Sequence, residues 1–154
     1  MKRLAIVALC MMLCGCGKEE LRQPEGYVFY SGGVEIAVGM DADVVVSQLG
    51  ERVPFVSESC GNMGGNDYEY DYEDFTIFAN DGGGNKEIYC VVLESDLVKT
   101  AEDIVIGDTQ EDVTGVYGEP KRRTDTALIY EKGAVELTFV MKDGLVRSIQ
   151  YLKR

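Results

Sequence analysis

Histidine is absent from all 154 positions, and tryptophan with it. Without histidine there is no ordinary general base near neutral pH, no Ser-His or Cys-His nucleophile pair and no imidazole-ligated metal site. Positive charge is also scarce. Fifteen Lys and Arg stand against 27 Asp and Glu, for a net charge of −12. That balance disfavours nucleic acid, whose phosphates are held by clustered cations, and electrostatic adhesion to an anionic membrane. Long apolar runs are missing too. The longest, residues 4–13, falls well short of the roughly 20 residues that a membrane-crossing helix needs. What remains is a chain of ordinary globular composition, 45% apolar and 27% charged, sized for one domain or two small ones.

One phrase is written twice. Ile36-Ala37-Val38-Gly39, followed by Gly50-Glu51, recurs as Ile104-Val105-Ile106-Gly107, followed by Gly118-Glu119. The glycines stand eleven positions apart in each copy, with Val45 matching Val113 and Leu49 matching Tyr117. In the first copy Asp41 is a cap for a helix over 42–49, which Gly50 ends. In the second, Thr109 and Asp112 have capping-box spacing for a helix over 110–117. Gly118 and Pro120 prevent its continuation.

Ahead of the first helix, 27–30 and 34–38 read as a hairpin about Ser31-Gly32-Gly33. Behind it, strands are expected at 53–58, 68–72, 75–79 and 88–93, separated by Gly/Asn/Asp-rich loops. Behind the second helix they are expected at 122–125, 128–131, 134–141 and 145–152, with Gly133 and Asp143-Gly144 as turns. The expectation is an α+β fold. Two tandem repeats, 27–99 and 100–154, would each carry a helix and an antiparallel meander, together forming a helix/sheet layer.

The leader carries a further signal. Lys2 and Arg3 precede the apolar run, as in a secretory signal. Leu13-Cys14-Gly15-Cys16 resembles the bacterial lipobox. The resemblance implies a signal peptide over 1–15, lipidation of Cys16 and a polar tether over 16–26. A lipid-anchored protein on the extracytoplasmic face of the cell membrane is the expected location; a plain signal peptide is the alternative. Two acyl chains anchor stably, at about 0.8 kcal/mol per buried methylene.

The duplication resembles the tandem repeats of the beta-lactamase-inhibitor-like proteins. Several stretches also resemble a family of small lipoproteins from Gram-positive bacteria. They include Gly33-Val34-Glu35-Ile36, Ser59-Cys60, the tyrosines at 70 and 72 before Phe75, and Ile106-Gly107-Asp108-Thr109 through Tyr117-Gly118. None of these motifs is catalytic. The resemblance implies fold and family rather than an activity.

The most conspicuous run is Asp67-Tyr68-Glu69-Tyr70-Asp71-Tyr72-Glu73-Asp74. Strand alternation sends the tyrosines to one face, as core, and the carboxylates to the other. A strand spreads its carboxylates along a line, so they do not converge as a calcium site requires. Neither metal nor cofactor is expected. Cys60 and Cys90 are a candidate disulfide pair in an oxidising compartment; two free thiols are equally compatible with the sequence.

These readings converge on a tethered, extracytoplasmic protein-binding or scaffold lipoprotein without catalysis, its partner protein unidentified. Inhibition of a secreted hydrolase and assembly of envelope proteins are the alternatives. The candidate partner surface is the open sheet face: Asp67, Glu69, Asp71, Thr76, Phe78 and Val92, extended by Ile129, Thr138 and Gln150.

Overall fold

In the computed structural model, residues 26–60 and 64–154 are described. The leader at 1–15, Cys16 and its lipidation, and the tether as far as residue 25 lie outside them. Gly26, the last tether position, is buried. A Cβ there would run into the Val135 side chain.

Both helices form where their caps place them. In α1 (Ala42–Leu49) the Asp41 carboxylate accepts from the amides of Asp43 and Val44, at 2.9 and 3.4 Å. These would otherwise be orphaned donors of the first turn. In α2 (Gln110–Tyr117) the Thr109 hydroxyl accepts from the Asp112 amide, while the Asp112 carboxylate accepts from the Thr109 amide. Gly50 and Gly118 end the two helices at φ 106° and 75°, a region costly for any residue with a Cβ. Three consecutive valines are poor helix formers. Here Val45 and Val46 are buried, so packing outweighs propensity.

The strands are β1 (Phe29–Ser31), β2 (Val34–Ile36), β3 (Phe55–Glu58), β4 (Asn66–Asp71), β5 (Phe75–Asn80) and β6 (Glu87–Leu93) in the first half. The second half supplies β7 (Arg122–Thr124), β8 (Ala127–Lys132), β9 (Val135–Lys142) and β10 (Leu145–Lys153). β1 and β2 form a small separate hairpin. The other eight make one antiparallel sheet, ordered β3-β4-β5-β6-β10-β9-β8-β7.

The expected α+β layer of two tandem repeats is therefore corrected. The fold is mainly β: a single large sheet, with two helices of eight residues each. The physical reason lies in the numbers of residues committed to each state. Each helix supplies little more than two turns, too few to tile a layer over four strands. Each half supplies one helix and four consecutive strands of the sheet, and the halves join where β6 pairs with β10, through Val91 opposite Tyr151 and Leu93 opposite Ile149. One apolar cluster runs beneath both halves, from Phe29, Val45 and Ile77 to Val113, Leu137 and Phe139.

Tyrosines fasten the helix ends to the sheet. The Tyr130 hydroxyl donates to the Gly118 carbonyl at 3.0 Å, and the Tyr72 hydroxyl to the Gly50 carbonyl at 3.3 Å. Tyr70 and Tyr130 are buried in the core, and Tyr68 and Tyr72 pack partly against it.

Candidate partner-binding face

With the apolar alternates of β4 to β10 turned towards the helices, the other alternates form an open face. Pairing registers put these residues in rows across the strands. Asp71 stands opposite Thr76, Thr76 opposite Val92, and Val92 opposite Gln150. The row continues through Thr138 and Ile129 to Arg122. A second row runs Phe55, Glu69, Phe78, Cys90, Leu152, Glu136 and Glu131. Asp67 pairs with Ser57 on one side and Asn80 on the other. All nine positions nominated from the sequence thus fall on one face.

They are not equally available. Thr76 is 5% exposed, and its hydroxyl is spent on the Glu94 carboxylate at 2.8 Å. Ile129 is 6% exposed. Both are withdrawn from direct contact with a partner, which corrects their nomination as contact residues. Asp71 accepts from the Glu73 amide and holds the turn into β5. Asp67 accepts from the Asn80 side-chain amide at 2.8 Å. Glu69 is exposed, with neither a hydrogen bond nor an ion pair among the described residues.

Charge divides the face. In the second half the Glu136 carboxylate meets Arg122 at 3.5 Å, and Glu131 meets Arg154 at 3.2 Å. Where the halves meet, Glu87 meets Lys153. No ion pair reaches Asp67, Glu69 or Asp71 among the described residues. The first half therefore keeps an uncompensated acidic edge.

Beside that edge is a notch of about 170 Å³ lined by Phe55, Ser57, Asp67, Glu69, Phe78 and Tyr89. Tyr89 reaches it through an irregularity. The β5–β6 register shifts between Phe78 and Ala79, so that Phe78 opposes Cys90 and Ala79 opposes Ile88. The extra residue in β6 is Tyr89, and a bulge re-aims side chains in this way. Strict alternation would send Tyr89 inward with Val91; instead its ring lies 6.3 Å from that of Phe78. Burial, the nearby Asp67 and Glu69 carboxylates and Cys90 push its phenol above the ordinary range.

Phe55, Ser57 and Tyr89 were not singled out from the sequence. Phe55 could have been found, because it leads a short strand next to Pro54. The bulge leaves no comparable mark.

The candidate disulfide is corrected. Cys60 and Cys90 are both free. Cys60 follows β3 while Cys90 lies in β6, three strands away. At about 4.8 Å per strand this is roughly 14 Å, about twice the reach of a disulfide. Among the described residues no cluster of Cys, Asp and Glu could hold a metal ion, and no helix is long and apolar enough to cross a membrane.

No family model, curated protein or solved structure matches this chain.

Proposed function

We propose that this protein is a non-catalytic, lipid-anchored binding module that meets a protein partner outside the cytoplasm through the acidic half of its open sheet face. One observation carries the reading. On the second half of the face Glu131 and Glu136 are ion-paired, while among the described residues no cation meets Asp67, Glu69 or Asp71 beside exposed Phe55. A solvated surface that served only solubility would have no reason to separate the two halves in this way. Charge placed at the rim of an interface acts chiefly on encounter rate and partner choice, and its effect weakens as salt shortens the Debye length.

The test is crosslinking of the full-length protein in its native membrane, comparing wild type with Glu69→Lys. The side chain is exposed, so the variant folds normally. Loss of a crosslinked partner, retained by an Arg123→Ala control at the opposite edge, supports the reading. An unchanged crosslinking profile overturns it. Anchoring is tested separately: Cys16→Ser should move the protein from the detergent phase to the aqueous phase.

A further inference from the structure

The two edges of the eight-stranded sheet are finished differently. An edge strand exposes unpaired backbone donors and acceptors, and proteins commonly guard such edges with charge. The β7 edge is guarded: Arg122 and Arg123 lie on it, and each holds a carboxylate, Glu136 and Glu119. The β3 edge is not. Phe55 is 69% exposed and Val56 48%, and Val53 just before them is 97% exposed. No cation lies within Phe55–Glu58. All four residues are exposed.

We infer that β3 accepts an extended segment of the partner protein as a ninth strand, and that a basic side chain of that segment seats in the notch between Phe55, Phe78 and Tyr89. The inference rests on the reading of the acidic half as the partner surface. Charge complementarity selects the occupant: the notch presents Asp67 and Glu69, which meet no cation among the described residues, against aromatic walls that attract a desolvated cation. The geometry permits the approach. A strand added beside β3 lies one spacing of about 4.8 Å from it. Ser57 is the small residue on the open face of β3, directly opposite Asp67. A long Lys or Arg side chain passes over Ser57 to reach the Asp67 carboxylate. Strand addition supplies backbone hydrogen bonds for affinity, and the alternate side chains supply selectivity.

Three synthetic octapeptides test this on the full-length protein: alternating arginine and threonine, alternating glutamate and threonine, and the basic peptide N-methylated on alternate backbone nitrogens. The readouts are fluorescence anisotropy and backbone amide exchange. The basic peptide should bind and slow exchange in Phe55–Glu58. The acidic and N-methylated peptides should each bind at least about tenfold more weakly, as loss of the charge match or of the strand hydrogen bonds requires. Ser57→Arg, which fills the notch from an exposed position, should abolish binding without lowering the melting temperature.

Equal binding of the N-methylated peptide would overturn strand addition, and equal binding of the acidic peptide would overturn the cation notch. Failure of the basic peptide to bind overturns the inference as a whole. If Glu69→Lys still removes the crosslinked partner in that case, the open-face reading survives alone. If Glu69→Lys has no effect, both fall.

Discussion

Cys90 gives the sharpest test of the sheet's registration. It lies between Phe78 and Leu152 in one cross-strand row and is 9% exposed. Burial pushes its thiol from 9.0 up to about 11. Near pH 8 its thiolate fraction is then about a hundredfold lower than in the unfolded chain, and thiol reagents attack the thiolate. A variant with Cys10, Cys14, Cys16 and Cys60 changed to Ser isolates this group. Its labelling by a disulfide reagent should be at least about a hundredfold slower in the native state than in urea, with restricted access slowing it further.

The same shift has a thermodynamic sign. Between about pH 9 and 11 the folded chain keeps the thiol proton that the unfolded chain releases. The contribution is complete below pH 9 and is lost as pH rises towards 11, at about 1.4 kcal/mol per pH unit. Urea titrations should show Cys90→Ala with a shallower alkaline decline than its parent; the buried tyrosines contribute equally to both. Rapid native labelling, or identical alkaline slopes, would refute the placement of Cys90 inside the row.

Three further outcomes follow from local geometry. Tyr130→Phe leaves the Gly118 carbonyl without its donor and should lower stability by about 1 kcal/mol in urea titration. Thr109→Ala removes the hydroxyl that accepts from the Asp112 amide and donates to the Asp112 carboxylate, leaving only the backbone half of the α2 capping box, and should cost about 1 kcal/mol at neutral pH. Hydrogen bonds from Thr109 hold the Asp112 carboxyl below its usual range, so that penalty should shrink as pH falls through the folded value and Asp112 protonates. Phe139→Ala, at a fully buried site that touches Tyr117 and Tyr130, should cost about 3–5 kcal/mol by calorimetry or urea titration.

Local chemistry was written plainly in the sequence, and long-range arrangement was not. Asp41, Gly50, Thr109, Asp112 and Gly118 mark both helices because caps are short-range devices. Alternation put the carboxylates of 67–71 and the tyrosines between them on opposite faces, since a strand has a fixed period of two. The α+β expectation failed by giving each helix the weight of a layer when it has only eight residues. Three features depend on partners far along the chain: the pairing of β6 with β10, the burial of Thr76 under its row, and the bulge that turns Tyr89 towards Phe78. No window of neighbouring residues encodes them. The candidate face was therefore legible as a face, whereas its aromatic notch was not.

The order of the sheet has a consequence for biogenesis. β10 follows both of its neighbours in the chain, yet it occupies an interior slot between β6 and β9. Residues 87–93 must wait for residues 145–153, and such distant pairing is slow. A nascent chain lacking β10 can close neither half onto the other. Closure of the sheet, and with it the burial of Val91 and Leu93 against their partners, is timed by residues 145–153.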